Sequence, residues 1–162
     1  MVDDDFYYGE LSQLVLSSSS LKLLLSSPKT YKYVTKYGSA ETQPLRDGRL
    51  IHMSILEPDK FQEQIFVNVS SKNSKAYKEA KKKYGLVYTR SERENAERIA
   101  DAFFKNEQAL KYITDCEFEV PAIDTIHSYP FRGKADVLSS KGIVDIKTTT
   151  DIKGFPYSAK KY

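Results

Sequence analysis

The stretch FRGKADVLSSKGIVDIKTT, residues 131–149, decides the fold of this sequence. Its apolar and β-branched residues predict two strands, at 131–138 and 143–148, and the Ser-Ser-Lys-Gly between them predicts a turn. A loop of this length joins neighbouring antiparallel strands. The sequence therefore predicts a hairpin in which Leu138 pairs with Ile143.

This register brings two pairs of charged residues together. Continuing the ladder away from the turn places Asp136 opposite Asp145 and Lys134 opposite Lys147, and the alternation of strand side chains puts both pairs on one face. Directly opposed residues have Cβ atoms about 4.5–5.5 Å apart. The other face carries apolar residues that we expect in the core: Val137, Val144 and Ile146.

The aspartate pair indicates a metal site. Like charges directly opposed on a sheet are destabilising, so Asp136 and Asp145 need a cation, and Mg²⁺ prefers carboxylate oxygens and water. A further strand is predicted at 116–122, where either Glu117 or Glu119 on the polar face supplies another carboxylate. The alternative is a solvent-exposed hairpin whose aspartates and lysines form surface ion pairs.

These residue types suit phosphodiester hydrolysis. A Mg²⁺ held by two or three carboxylates polarises a phosphate and lowers the pKa of a bound water. An adjacent lysine, Lys147, orients that water or offsets negative charge in the transition state. We therefore expect Asp136, Asp145 and Lys147 at the centre of a catalytic site.

The chain before this meander reads as mainly helical. N-cap, proline and glycine signals predict five helices. They lie after Ser17–Ser20, at 28–38, at 44–56, at 74–85 and after a capping box of Ser91 and Glu94, with short strands at 65–70 and 86–88. We expect an α/β (or α+β) domain in which a helical N-terminal half packs on a mixed central sheet.

Charge is distributed unevenly along the chain. The net charge is only +3, but residues 72–83 hold six lysines against one glutamate, and the chain from residue 132 holds seven basic residues against three aspartates. Both basic zones are suited to face phosphates, although a solvated helix face explains the first zone equally well. The residues predicted to contact DNA are Arg132, Lys134, Lys153, Lys160 and Lys161.

Several classes of protein are disfavoured. Cys116 is the only cysteine, which excludes an intramolecular disulfide and a cysteine-ligated zinc or iron–sulfur site built from one chain. No apolar run approaches about 18 residues, so no membrane span is predicted. The N-terminus is acidic and does not read as a signal peptide. We expect the protein in the cytoplasm of a bacterial or host cell.

The motif residues resemble a known family. Arg-Gly-Lys-Ala-Asp at 132–136 and, after eight intervening residues, Asp-Ile-Lys-Thr-Thr at 145–149 resemble the core of the PD-(D/E)XK nucleases, in particular the RecB/RecE-type exonucleases of phage and bacterial recombination. Asp-Gly-Arg-Leu-Ile-His at 47–52 and Leu-Glu-Pro at 56–58 resemble the family's helical Gly-x-x-x-His segment and its continuation. Ser-Ser-Leu-Lys-Leu-Leu-Leu-Ser-Ser-Pro at 19–28 is similar to the family's opening, so the resemblance covers nearly the whole chain.

The resemblance implies a restriction-endonuclease-like core and a role for each matching residue. It implies Asp136 and Asp145 as Mg²⁺ ligands, with Mn²⁺ able to substitute, and Lys147 as the catalytic lysine. It implies Glu119 as a helper carboxylate and His52 as a metal ligand or neighbour; without it, His52 reads as a structural histidine. The implied substrate is a linear duplex DNA end that is resected for recombination or phage DNA processing. A single-strand annealing protein is the implied partner, and relatives often form rings, so a homo-oligomer is compatible.

The sequence also departs from the family. The lysine strand of the family is followed by a helix with a Gln-x-x-x-Tyr pattern, whereas residues 155–162 resemble only its entry. We therefore expect one nuclease domain over 1–162, incomplete at its C-terminus, with a mainly helical part at 1–112 and the catalytic meander and start of the next helix at 113–162. The alternatives are an endonuclease on the same fold and a non-catalytic DNA-binding or structural module. An iron–sulfur RecB-like nuclease is disfavoured by the single cysteine.

Overall fold

The computed structural model describes residues 3–160, within which ten helices and five strands form. The helices are α1 (Asp4–Tyr8), α2 (Glu10–Leu14), α3 (Ser18–Ser26), α4 (Pro28–Tyr37), α5 (Gln43–Leu56), α6 (Pro58–Glu63), α7 (Lys75–Tyr84), α8 (Arg90–Phe104), α9 (Glu107–Ile113) and α10 (Phe155–Ala159). The strands are β1 (Phe66–Val67), β2 (Tyr88–Thr89), β3 (Glu117–Ile126), β4 (Tyr129–Ser139) and β5 (Gly142–Val144). The predicted mixed α and β class is confirmed.

The chain divides into two compact units. The first comprises the chain up to Glu41 together with Asp115–Val144, and the second comprises Thr42–Thr114 together with the chain from Asp145. The described strands form two small sheets, a parallel pair β1–β2 in the second unit and an antiparallel meander β3–β4–β5 in the first, where one mixed sheet was expected. The single nuclease domain over 1–162 stays a prediction.

Helix boundaries in the first unit follow the local signals that predicted them. The Ser17 hydroxyl accepts a hydrogen bond from the Ser20 N–H at 3.2 Å, and the Ser20 hydroxyl accepts one from the Ser17 N–H at 2.7 Å, a reciprocal cap for α3. Pro28 opens α4, where its missing N–H costs nothing. Gly38 ends α4 with φ of 77°, a conformation that glycine adopts without steric cost.

The core of the second unit lies around α5 and α8, which pack against each other. Its most buried side chains include Leu50 of α5 and Val87 and Tyr88 at the strand before α8. Ala96 and Ala100, one turn apart on α8, are also buried. This apolar packing fixes α5, the helix that carries the Gly-x-x-x-His segment.

The start of α8 differs from its prediction. The capping box is formed by Thr89 and Glu92, not by Ser91 and Glu94: the Thr89 hydroxyl accepts from the Glu92 N–H, and the Glu92 carboxylate accepts from the Thr89 N–H at 2.7 Å. Thr89 ends the parallel strand β2 in an extended conformation, which is the backbone geometry that an N-cap requires. The strand therefore leads directly into the helix and moves the cap two residues earlier.

The meander has the predicted strand order and hairpin register. Leu138 pairs with Ile143 and Val137 with Val144 across β4 and β5, and Val137 is fully buried as expected of the core face. Ser139 also pairs with Gly142, so the loop itself is only two residues long. The hairpin prediction is confirmed at these pairs.

The predicted extension of β5 to Thr148 was wrong. The strand ends at Val144, and with it ends the ladder that was expected to oppose Asp136 to Asp145 and Lys134 to Lys147. Two aspartates directly opposed on a ladder repel, which favours ending the strand before Asp145. The following segment turns through its own side chains, since the Thr149 hydroxyl accepts from the Asp151 N–H at 3.0 Å.

Candidate active site

Two acidic residues face each other in the first unit, Glu119 on β3 and Asp136 on β4. Phe118 pairs with Val137 on one side of them and Val120 with Ala135 on the other, so Glu119 and Asp136 occupy the opposed positions in between. A carboxylate oxygen of Glu119 lies within 4.8 Å of one of Asp136. Two half-buried carboxylates this close are stabilised by a cation, so the donor set fits a divalent metal ion.

The backbone of Glu119 is unusual for a strand. Its φ is 52°, in the left-handed region that non-glycine residues rarely adopt, and this distortion interrupts the pairing of β3 with β4 at that residue alone. Such conformations cost about 1–2 kcal/mol and cluster at functional sites. Glu117, the alternative helper carboxylate, is exposed and lies opposite Leu138. The geometry thus brings Glu119, rather than Glu117, to Asp136.

Lys134 forms an ion pair with the Glu119 side chain. Its Nζ lies 2.9 Å from Glu119 Oε2 and 2.9 Å from Asp4 Oδ1, and its side chain is only 11% exposed. Burial opposes the charged form, but the hydrogen bonds to the Asp4 and Glu119 carboxylates outweigh it and raise the pKa of Lys134 above its usual range. The structure therefore engages Lys134 with carboxylates, whereas the sequence suggested a phosphate contact.

Arg132, two residues before Lys134 on β4, also makes its contacts within the first unit. Its guanidinium lies over the Tyr7 ring, 4.5 Å from the centroid, and donates a hydrogen bond to the Tyr7 carbonyl. Desolvation by burial raises the pKa of Tyr7. Arg132 and Lys134 together connect β4 to α1. Each contact joins residues more than 100 positions apart in the sequence, so local sequence patterns do not reveal it.

The second unit carries the other predicted residues. Gly48 and His52 are four residues apart on α5 and so share one face of that helix. A Cβ atom built at Gly48 would lie 3.4 Å from Thr148 Oγ1, so the segment after β5 approaches α5 at its glycine. The Gly-x-x-x-His segment and the Asp-x-Lys segment, nearly 100 residues apart in sequence, thus meet within one unit.

Asp145 and Lys147 lie in that segment, which has no regular secondary structure. Lys147 Nζ and Asp145 Oδ1 are 2.5 Å apart, a short ion pair between the two motif residues. Lys147 is thereby held beside the carboxylate of Asp145. Of the remaining predicted DNA contacts, Lys153 and Lys160 are exposed, and Lys161 lies outside the described residues.

A buried polar network that the sequence analysis missed stabilises α5. Glu92 of α8 accepts hydrogen bonds from Arg46 Nε at 2.9 Å, from Lys72 Nζ at 2.8 Å and from Gln43 Nε2 at 2.9 Å. Burial would raise the pKa of Glu92, but these donors and the Thr89 N–H hold it far below its usual range. The signal was present in the Thr-x-x-Glu capping box, which places Glu92 in the first turn of a buried helix.

The order of these residues along the chain is that of the PD-(D/E)XK pattern: an acidic residue on one strand, then Asp-x-Lys after the next strand. The model of the family DUF3799, described as a PDDEXK-like domain of unknown function, matches residues 17–162, and the chain belongs to this family. No curated protein and no solved structure matches the chain. Among the described residues, no helix has both the length and the apolar character needed to cross a membrane.

Proposed function

We propose that this protein is a divalent-metal-dependent DNA nuclease. The observation that carries the proposal is the opposition of Glu119 and Asp136 beside the half-buried Lys134, in a chain of a PDDEXK-like family. A binding module without catalysis has no need for a strained glutamate next to a second carboxylate. The Asp-x-Lys motif, in which Asp145 and Lys147 form an ion pair, supports the proposal separately.

The metal ligands that we propose are Asp136, Asp145, Glu119 and His52, with Mg²⁺ as the ion and Mn²⁺ as its substitute. Carboxylate oxygens are the ligands that Mg²⁺ prefers, and a single imidazole is compatible with Mn²⁺. A bound divalent cation would supply the positive charge that polarises a phosphate and acidifies water. Lys134 orients the Glu119 carboxylate, because its ammonium contacts both Glu119 and Asp4.

Lys147 is the proposed catalytic lysine. Its ammonium forms an ion pair with the Asp145 carboxylate. With a divalent cation bound at the proposed ligands, the Lys147 ammonium would orient the attacking water and offset the negative charge that develops on the phosphate. Lys153, Lys160 and Lys161 are proposed to contact the DNA backbone, since a basic tail attracts phosphates.

The finer function that we propose is exonucleolytic digestion from linear duplex ends for recombination or phage DNA processing. The resemblance of the three motif segments to RecB/RecE-type exonucleases supports it, and it brings with it a single-strand annealing protein as partner, ring-like homo-oligomers and a cytoplasmic location. An endonuclease on the same fold is the competing activity.

The experiment compares end-labelled linear duplex DNA with closed circular DNA, in Mg²⁺ and in EDTA, for the wild type and Lys147→Ala. The exonuclease is supported if only the linear substrate is digested, if this digestion requires Mg²⁺, and if Lys147→Ala does not show it. Metal-dependent cutting of circles would support the endonuclease instead. Cleavage that persists in EDTA or in Lys147→Ala would overturn the proposed site.

A further inference from the structure

Within residues 3–160, the helical hairpin α3–α4 of the first unit has one exposed face. Neither helix contains a buried residue, although each is amphipathic and the two pack against each other. The half-buried residues of α4 are Tyr31 and Val34, which lie on the face opposite its lysines. The outward face of α4 is therefore available for binding.

That outward face combines aromatic rings with positive charge. Its members follow the spacing i, i+3, i+4, i+7 and i+8, which is one face of a helix, and all are exposed: Lys29, Lys32, Tyr33, Lys36 and Tyr37. We call these five residues the α4 face. The rings of Tyr33 and Tyr37, 61% and 64% exposed, have centroids 4.9 Å apart, and Lys36 Nζ lies 5.1 Å from the Tyr37 centroid.

The charge of this region is of one sign. No aspartate or glutamate occurs between Glu10 and Glu41, whereas four lysines do. Within residues 3–160, no carboxylate forms an ion pair with a lysine of the α4 face. On α8, by contrast, exposed charges of both signs form the pairs Arg90–Glu94 and Arg93–Glu97.

We infer that the α4 face binds a single-stranded segment of nucleic acid. Exposed aromatic rings between lysines are the elements of a stacking platform, on which unpaired bases lie against rings while cations neutralise the phosphates. The inference deepens the proposed nuclease function, since a duplex end under digestion supplies unpaired bases. A blunt duplex hides its base faces, so its affinity is expected not to depend on the tyrosines.

The test of stacking measures fluorescence anisotropy of a labelled oligothymidylate in EDTA, with an unlabelled blunt duplex of equal length as competitor. Replacing Tyr33 and Tyr37 by alanine is expected to weaken binding of the oligothymidylate at least about fivefold per tyrosine, whereas the double phenylalanine variant retains it. The control is Tyr84→Ala with Tyr112→Ala, two exposed tyrosines of other helices, which is expected to bind as wild type. Unchanged binding by the Tyr33/Tyr37 alanine variant, or an equal loss of duplex affinity, would overturn the inference.

The test of charge measures the salt dependence of the same binding. Replacing Lys29, Lys32 and Lys36 by glutamine is expected to reduce the slope of log affinity against log salt by roughly 2, the value for three phosphate contacts on a single strand. The control carries the same change of charge at three lysines outside the α4 face: Lys60, Lys105 and Lys111. An equal reduction in this control would overturn the inference, because it would show a general charge effect.

These binding tests separate the inference from the proposed function. They contain no metal ion and no cleavage step, so oligothymidylate binding that depends on Tyr33 and Tyr37 supports the α4 face even if the protein cleaves nothing. A protein that cleaves DNA normally but binds oligothymidylate independently of both tyrosines would contradict the α4 face alone. Circular dichroism of each variant confirms that the exposed substitutions leave the fold intact.

Discussion

Glu119 and Asp136 oppose each other across β3 and β4, with carboxylate oxygens within 4.8 Å, at the one position where the ladder between their paired neighbours is interrupted. The interruption comes from the left-handed backbone of Glu119, whose φ is 52°. At this position β3 lacks the backbone pairing that its neighbours make, and the two carboxylates lie close together. This relationship is the basis of the metal site that we propose.

The strain at Glu119 predicts an unusual order of substitutions. Glu119→Gly is expected to be more stable than Glu119→Ala by about 1 kcal/mol, because glycine adopts a positive φ without the Cβ clash. At Glu117, on the same strand without a positive φ, the order is expected to reverse, since glycine there only adds freedom to the unfolded chain. Urea denaturation of the four variants measures both differences, and the same order at the two positions would contradict the assigned backbone strain.

Lys134→Met is expected to destabilise the first unit by about 2 kcal/mol, because it leaves the carboxylates of Asp4 and Glu119 without their shared charged donor. The control is Lys141→Met in the exposed hairpin turn, which is expected to change stability by less than about 0.5 kcal/mol. Denaturant titration gives both values. Equal effects of the two substitutions would show that the Lys134 ion pairs contribute nothing.

Arg46→Leu is expected to destabilise the second unit by about 3 kcal/mol, since it removes the main partner of the buried Glu92 and leaves that charge undercompensated. Arg90→Leu removes an exposed ion pair with Glu94 and is expected to have an effect below about 1 kcal/mol. Thermal and urea denaturation compare the two. An effect of Arg46→Leu as small as that of Arg90→Leu would contradict a structural role for the network.

The shifted pKa values predict how stability depends on pH. The pKa of Glu92 is lowered on folding, so its contribution is present above the usual glutamate pKa of about 4.3 and is lost as pH falls below that value. The pKa of Lys134 is raised, so its contribution is present below the usual lysine pKa of about 10.4 and is lost as pH rises above it. The melting temperature measured across pH shows both losses of stability. Lys134→Met is expected to reduce only the fall in melting temperature at alkaline pH. A smaller fall at acid pH in that variant would contradict the assignment.

Local signals in the sequence predicted much of the fold. The Ser17 cap, Pro28, Gly38 and the pairing of Leu138 with Ile143 depend on neighbouring residues, and the structure has each of them. The early end of β5 was missed because the hydrophobic pattern continues through Ile146 while the repulsion that ends the ladder depends on pairing.

The candidate site was predicted in its residue types more than in its geometry. The left-handed Glu119 carries no glycine or asparagine signal, and the Lys134–Asp4 pair joins residues 130 positions apart. The roles of Asp136, Asp145 and Lys147 came from the predicted hairpin and the family resemblance, that of His52 came from the resemblance, and all stay predictions. Such long-range contacts depend on the whole fold, which local periodicity does not specify.

The most direct test of the metal site is Mn²⁺ binding. It is measured as the decrease in the electron paramagnetic resonance signal of free Mn²⁺. Wild type is expected to bind the ion, Asp136→Asn and Asp145→Asn to bind it at least about tenfold more weakly, and Glu117→Gln, an exposed carboxylate on the same strand as Glu119, to bind it as wild type does. No binding by wild type, or equal binding by wild type and Asp136→Asn, would contradict a metal centre at these carboxylates.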